Sequence, residues 1–159
     1  MEESFEVFFR REYRPVLGLA IVLSGNRTGA EDVTMDAFEA ALRNWQSVSR
    51  LDSPGAWVRR VVANRSVSRF RRLAVEARAA LRIGRREDLV VADGDGHFEV
   101  WEAVRSLPRR QAQVVALFYL EGYPRAEVAR TLGISEESVK THLERARRNL
   151  DEELSDADN

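Results

Sequence analysis

The stretch that most constrains the fold of this chain lies near its end, between residues 107 and 150. Apolar residues at helical spacing on both sides of Gly133 predict two helices joined by a tight turn. Glycine suits that position because it adopts positive φ without a steric penalty, so a helix can end there. Ser135 is then a candidate N-cap, and Glu136 and Glu137 suit the positive end of the next helix. The pattern predicts a helix-turn-helix, a motif that places one helix in the major groove of DNA.

The first half of the chain has helical periodicity of its own. We predict helices over about residues 3–23, 29–45 and 54–80, with a loop over residues 46–52. Thr28 and Glu31 have the spacing of a capping box for the second helix, and Ser53-Pro54 is a start signal for the third. Pro15 falls inside the first helix, where proline favours a bend or a break.

A segment between the two helical regions lacks this periodicity. Residues 82–96 contain three glycines and an abrupt reversal of charge, which predicts a flexible linker. The expected fold class is therefore all-α, with two small helical domains joined by a flexible linker and the helix-turn-helix in the second. The expected boundaries are residues 1–81 for the first domain, 82–96 for the linker, 97–153 for the second domain and 154–159 for an acidic tail.

Charged residues are strongly segregated although the net charge is only −1. Residues 59–86 hold ten arginines against one acidic residue, and residues 103–150 hold nine basic residues against five acidic ones. Residues 87–102 hold six acidic residues and neither lysine nor arginine. Separate basic blocks are typical of a nucleic-acid-binding protein, although solvated helix faces would give a similar pattern.

Other functional classes are disfavoured by what the sequence lacks. Because there is no cysteine, disulfides, thiolate catalysis and zinc fingers are excluded. His97 and His142 have no nearby nucleophile and carboxylate, and no phosphate-binding Gly-Lys loop is present. We therefore expect no enzyme, no small-molecule substrate, no cofactor and no metal. No apolar run approaches the roughly 20 residues that span a bilayer, and no signal-peptide pattern is evident, so a cytoplasmic protein is expected.

Three stretches, in order, carry a resemblance to a known family. They are AEDVTMDAFEAALRNW, AWVRRVVANRSVSRFRR and the helix-turn-helix. Together they resemble the extracytoplasmic-function (ECF) sigma factors of bacterial RNA polymerase, and among these the actinobacterial SigE-like branch. The resemblance implies an alternative sigma factor that binds core RNA polymerase, directs it to promoters and helps to open the DNA. Residues 1–81 would correspond to sigma region 2, and residues 97–153 to sigma region 4.

The resemblance implies several protein partners. In ECF sigma factors the helix that matches residues 31–45 docks on the clamp helices of the largest polymerase subunit, and region 4 meets the flap. Many such factors are also held by an anti-sigma factor between their two domains. Met35 stands where glutamine is usual in the family. The candidates for core-polymerase binding are Asp32, Met35, Asp36, Phe38 and Glu39.

The resemblance also implies that the first domain binds opened promoter DNA. The loop that matches residues 47–52 would trap a base flipped from the downstream (minus-ten) element, and the next helix would hold the opened strand. Trp57 among arginines suits base stacking, although a tryptophan on a helix is as often part of a core. Ser68 stands where aspartate is usual. The candidates are Ser49, Arg50, Trp57, Arg60, Asn64, Arg65, Ser68, Arg71 and Arg72.

The helix after the turn, expected over residues 136–150, would read the upstream (minus-thirty-five) element in the major groove. Glu137 and His142 replace the glycine and arginine common in the family, so the preferred DNA sequence does not transfer from relatives. His142 has a second interpretation, that it only covers the edge of the helix. The candidates for base contact are Ser138, Lys140, Thr141, His142 and Arg145, and those for phosphate contact are Arg125, Arg147 and Arg148.

Alternatives remain open at the level of sequence. A helix-turn-helix also occurs in one-component transcriptional regulators, which dimerise on a palindrome and are not polymerase subunits. A helical interaction module, for instance an RNA binder, is a third possibility. The acidic residues 87–95 have two interpretations as well, a mimic of nucleic acid in the RNA exit path or a plain solubilising linker.

Overall fold

The computed structural model describes residues 2–79 and 97–157, with the side chains of residues 2–66 and 100–156. All regular secondary structure in these residues is helical, as the predicted all-α class requires. The chain divides into two compact units, which contain the residues up to 79 and those from 97, and each is described by itself. No helix within the described ranges is long and apolar enough to span a membrane. The predicted linker over residues 82–96 lies outside the described residues.

The first unit packs three long helices and one short helix around an aromatic core. Its helices are α1 (Phe5–Ser24), α2 (Arg27–Arg43), α3 (Trp45–Val48) and α4 (Pro54–Ala79). Helices α1, α2 and α4 all contact one another. The ring of Phe8 lies 5.9 Å from that of Phe38 and 4.9 Å from that of Trp45, measured between centroids. Burial of such rings is the main stabilisation of a small helical unit, because each removes a large apolar area from water.

The turn between α1 and α2 fixes the ends of both helices. Gly25 adopts φ 79°, a left-handed conformation that ends α1. The side chain of Asn26 accepts a 2.6 Å hydrogen bond from the amide of Gly29 and caps α2. The predicted capping box of Thr28 and Glu31 is therefore wrong, because α2 already begins before Thr28 and Asn26 supplies its cap.

Two further expectations about the first unit need correction. Helix α1 runs unbroken through Pro15, which lies on its exposed side. Residues 46–52 are not all loop, because α3 occupies the start of that stretch and leaves only residues 49–53 irregular. Trp45 is the first residue of α3, and the centroid of its ring lies 5.4 Å from that of Phe5. This contact packs the short helix against α1. Ser53 caps α4 as predicted, and its hydroxyl accepts a 3.2 Å bond from the amide of residue 56.

The second unit is a set of shorter helices packed on one long helix. They are α5 (His97–Ser106), α6 (Arg109–Val115), which continues as a π-helix over Ala116–Leu120, α7 (Arg125–Leu132) and α8 (Glu136–Ala157). Helices α5, α6 and α7 all contact α8. The largest fully buried side chains of this unit are Val104, Gln113, Val114, Leu117 and Val128.

Helix α8 is longer than its apolar pattern suggested. Sequence periodicity placed its end at Leu150, whereas the helix continues to Ala157 and carries four acidic residues in its last turns. Those residues have no apolar stripe to signal a helix, and their negative charge is unfavourable at the negative end of the helix dipole. The last turns of α8 are therefore helical because they extend a helix whose earlier turns are packed on the core.

Candidate nucleic-acid interface

Hydrogen bonds fix the turn between α7 and α8. Gly133 adopts φ 68° and ends α7, and its amide bonds to the carbonyl of Ala129. The amide of Ile134 donates to the same carbonyl at 3.0 Å. Ser135 Oγ then accepts a 3.0 Å hydrogen bond from the amide of Ser138 and caps α8. These contacts give the predicted helix-turn-helix, with Gly133 and Ser135 in their predicted roles.

Helix α8 has one face in the core and another in solvent. Its buried face consists of Val139, Leu143 and Ala146. Lys140, Arg145 and Arg148 are exposed, and Thr141 between them is half-buried. Because apolar side chains anchor the helix, its polar side chains are held at fixed positions along a solvent-facing row. Such a row can place two or three side chains on base edges.

Two of the other residues predicted to contact bases are less accessible. Ser138 is half-buried, and its hydroxyl lies 2.8 Å from Ser135 Oγ in the helix cap. His142 is also half-buried, and its Nδ1 is shielded from water with no hydrogen-bond partner among the described residues. Burial lowers the pKa of His142 below its ordinary value, and the charges of Arg110 and Arg145 lower it further. The imidazole is therefore neutral at pH 7 and leaves Nε2 as the atom available to a partner.

Two arginines border the helix-turn-helix. Arg125 is exposed at the first position of α7. Arg147 is exposed on the flank of α8, and its Nε and Nη2 donate to Tyr119 Oη at 3.0 and 2.7 Å. The contact of Tyr119 with Arg147 could not be predicted from the sequence, since a partner 28 residues away leaves no local signal.

An acidic face of α2 forms a second exposed surface. Asp32, Asp36 and Glu39 are exposed, and Met35 between them is 42% exposed. Carboxylates around an exposed apolar side chain suit a basic protein surface with an apolar centre. Four of the five predicted polymerase-binding residues are therefore exposed on α2.

Phe38 is the fifth predicted polymerase-binding residue, and its burial corrects that prediction. It is only 1% exposed and its ring meets those of Phe8, Phe9 and Tyr13 at 5.9, 4.9 and 6.2 Å. A side chain enclosed in this way has no surface to offer a partner. Its helical spacing to Ala41 and Thr34, both buried, was the signal that would have placed it in the core.

The first part of α4 carries the predicted contacts with opened DNA. Arg60 and Arg65 are exposed, and Trp57 and Asn64 are half-buried on the same side of the helix as Arg60. In the loop before α4, Arg50 is exposed and Ser49 half-buried. The side chains of Ser68, Arg71 and Arg72 lie outside the described residues. An indole and an amide beside arginines suit stacking and hydrogen bonding to unpaired bases.

Arg59 is buried although it belongs to the basic block. It is 5% exposed, and its Nη1 donates to Glu12 Oε2 at 2.8 Å and to the carbonyl of Gly55 at 3.1 Å. A Cβ on Gly55 would lie 3.0 Å from this guanidinium, so a larger residue there would crowd the ion pair. Arg59 therefore ties the start of α4 to α1 and does not belong to the exposed side of α4. Its spacing to buried Val62 was the available signal.

Burial and ion pairing act on Glu12 in opposite directions. Burial raises its pKa, but the hydrogen bonds and charges of Arg59 and Arg11 outweigh that effect. The pKa of Glu12 therefore lies below the ordinary glutamate value, and the carboxylate is charged at neutral pH.

Comparisons with known proteins agree with this geometry. The chain matches the family Sigma-70 region 2 over residues 8–75 and the family Sigma-70, region 4 over residues 97–150. It is 33% identical over 152 residues to the ECF RNA polymerase sigma factor SigM of Mycobacterium tuberculosis H37Rv, with 92% of this chain and 75% of that protein covered. It is 31% identical over 140 residues to the ECF RNA polymerase sigma factor BldN of Streptomyces coelicolor, with 83% and 53% covered.

A solved structure has the same fold. The sigma factor RpoE of Bartonella quintana, solved in complex with the anti-sigma factor NepR, superposes with a TM-score of 0.75. The two chains are 21% identical, and 95% of this chain and 96% of that chain are covered.

Proposed function

Since this chain belongs to the family of ECF RNA polymerase sigma factors, which direct RNA polymerase to promoters, we propose that its two helical units divide that work between them. The second unit reads the upstream element, and the first unit binds core polymerase and holds the opened downstream element. One observation carries this proposal above all: among the described residues, α2, α4 and α8 each expose several charged candidate residues, while apolar residues of the same helices are buried in the cores. Nucleotide addition stays with the polymerase.

In the second unit, α8 enters the major groove. Lys140, Thr141 and Arg145 contact base edges, and His142 accepts or donates as a neutral imidazole through Nε2. Each well-formed bidentate contact contributes about 1–3 kcal/mol of discrimination between base pairs. Arg125 and Arg148 contact phosphates, which positions the helix and makes binding depend on salt. Ser138 contributes mainly through the helix cap, since its hydroxyl is engaged with Ser135.

In the first unit, α4 and the loop before it hold the non-template strand after opening. Trp57 stacks on an unpaired base, while Arg60 and Asn64 contact the strand beside it. Ser49 and Arg50 border the place that receives a flipped base. Flipping costs a few kcal/mol, which the new stacking and hydrogen bonds offset. Ser68, Arg71 and Arg72 follow later in α4 and stay candidates for contact with the same strand.

The exposed face of α2 binds the clamp helices of the largest polymerase subunit, and the second unit meets the flap. Asp32, Asp36 and Glu39 supply negative charge, and Met35 supplies apolar contact. Polymerase binding is expected to place this chain in the cytoplasm, on the nucleoid. A regulator of the anti-sigma type, such as the one bound to the RpoE neighbour, would act by covering these surfaces.

The experiment that tests the division of labour compares two variants in transcription with core polymerase. Arg145→Ala should retain the affinity for core polymerase and lose most promoter-specific initiation. Glu39→Gln should lower the affinity for core polymerase and, once polymerase is saturated, initiate at the same promoters. If Arg145→Ala leaves promoter choice unchanged, α8 is not the specificity helix. If a one-component regulator were the true function, wild-type protein would bind a palindromic duplex as a dimer and start no transcription.

A further inference from the structure

A tyrosine outside the helix-turn-helix holds one of the arginines of α8. The Nε and Nη2 of Arg147 donate to Tyr119 Oη at 3.0 and 2.7 Å. Tyr119 is 51% exposed and Arg147 is exposed as well, so burial does not force the two together. The ring of Tyr119 stands edge-on to that of Phe118, 5.0 Å away between centroids, a favourable aromatic contact. The hydroxyl therefore accepts from the guanidinium while its ring is supported on one side.

The position of Tyr119 depends on a local departure from α-helical geometry. Helix α6 continues as a π-helix, in which the amide of Glu121 bonds to the carbonyl of Ala116 at 3.2 Å. Across this wider turn Leu117 stays buried, whereas Tyr119 and Leu120 are exposed. π-helical turns are rare and are frequent at functional sites. The exposure of Tyr119 is therefore built into the backbone.

We propose that Tyr119 is a positioning residue for DNA binding, which holds Arg147 on the flank of α8 for contact with a backbone phosphate of the promoter duplex. This inference rests on the function proposed above. Tyr119 engages two of the five guanidinium N–H groups, so three remain for a phosphate. Because the side chain is ordered before binding, less conformational entropy is lost on DNA, an effect of about 2- to 10-fold in affinity.

The chemistry of the pair favours an anionic ligand. Tyr119 offers a hydroxyl and not a carboxylate, so its hydrogen bonds orient Arg147 without forming an ion pair. Arg59 in the first unit shows the contrast, since its partner is the carboxylate of Glu12 and the pair is buried. An exposed guanidinium oriented by a hydroxyl on the flank of α8 matches a phosphate, which accepts hydrogen bonds from arginine in fixed geometry.

The test measures binding of full-length protein to a DNA duplex of mixed sequence across a range of salt concentrations. A mixed sequence is suitable because phosphate contacts carry no sequence information. Arg147→Ala should reduce the slope of log K against log salt by about 0.9, the value for one phosphate. Tyr119→Phe should weaken binding about 2- to 10-fold at fixed salt. The double variant should bind no more weakly than Arg147→Ala alone, whereas Tyr119→Phe combined with Arg148→Ala should show additive losses.

Several results would overturn the proposal. They are wild-type affinity in Tyr119→Phe, additive losses in the double variant, or an unchanged salt slope in Arg147→Ala. A loss of core-polymerase affinity with unchanged DNA affinity would assign the pair to a protein contact instead. Thermal unfolding of Tyr119→Phe should match that of wild type, because both side chains are at the surface. Failure of the proposed function would give a different result from failure of this inference. In that case wild-type protein would give no promoter-dependent transcription, whatever the DNA affinities of the variants.

Discussion

The carboxylate of Asp36 on α2 lies 3.7 Å from the guanidinium of Arg65 on α4, and both side chains are about half exposed. Asp36 belongs to the proposed polymerase face and Arg65 to the proposed DNA face, so this ion pair joins the two surfaces. An exposed pair of this kind contributes only about 0–1 kcal/mol. A polymerase residue that takes up Asp36 can therefore release Arg65 toward DNA at small cost.

Asp36→Asn should separate these two roles. It should weaken core-polymerase binding by roughly tenfold, because a contact to a charged group is lost. It should also strengthen binding of single-stranded promoter DNA by the free protein, by at most about fivefold, because Arg65 is released. Titrations with labelled polymerase and labelled DNA measure both effects. Glu39→Gln is the matched control and should show only the first effect, so an equal gain in DNA affinity there would rule out the link through Arg65.

Phe38→Ala and Met35→Ala should have opposite profiles, although both residues were predicted to bind polymerase. Phe38 is 1% exposed, so its truncation should cost about 3–5 kcal/mol of unfolding free energy. Met35 is exposed, so its truncation should change stability by less than about 0.5 kcal/mol and lower polymerase affinity instead. Chemical denaturation and a polymerase-binding assay distinguish the two. If Phe38→Ala is as stable as wild type and binds polymerase more weakly, Phe38 contacts polymerase directly.

Two glycines should respond to alanine in opposite directions. A Cβ on Gly18 in α1 would meet nothing within 4 Å, so Gly18→Ala should stabilise the first unit by about 0.5–1 kcal/mol. Gly133 has φ 68°, so Gly133→Ala should destabilise the second unit by about 1–2 kcal/mol. Unfolding followed by a probe in each unit measures both changes. Destabilisation by Gly18→Ala would mean that α1 is more closely covered than the structure indicates.

The ion pair of Glu12 and Arg59 should make the stability of the first unit depend on pH. The pKa of Glu12 is lowered in the folded protein, so its stabilisation is full above pH 4.5 and is lost as pH falls through the folded value. Glu12→Gln should cost roughly 3 kcal/mol at pH 7, because Arg59 is left buried without its counter-charge. The difference from wild type should shrink in acid. A difference that stays constant from pH 7 to acid would show that the carboxylate charge is not the source of the stability.

Local signals in the sequence were sufficient for most of the helices and for the turn of the helix-turn-helix. Apolar spacing predicted a buried face of Val139, Leu143, Ala146 and Leu150, of which the first three are buried and Leu150 is half-buried. Gly133 and Ser135 signalled the turn, because each acts within one or two helical turns. The burial of Arg59 was not predicted. Arg59 belongs to a run of arginines, and its burial depends on partners that include Glu12, which is distant in the sequence.

Contacts between distant residues account for what could not be predicted. The pairs Asp36–Arg65 and Tyr119–Arg147 each join different helices, and nothing in the spacing of either residue signals its partner. Asn26 replaced Thr28 as the cap of α2 because both residue types can cap a helix, and the end of α1 at Gly25 places Asn26 at the start of α2. Aromatic residues such as Phe38 are equally suited to a core and to an interface, so sequence alone left their role open.

Reconstitution with core RNA polymerase tests the central claim most directly. Core enzyme with and without this protein would transcribe fragmented genomic DNA, and the RNA 5′ ends would be mapped. The account predicts RNA starts at a defined set of sites only when the protein is present, with a shared upstream and a shared downstream element, and loss of those starts with Arg145→Ala. Starts at the same sites without the protein, or a protein that binds duplex DNA tightly as a dimer and yields no new starts, would contradict it.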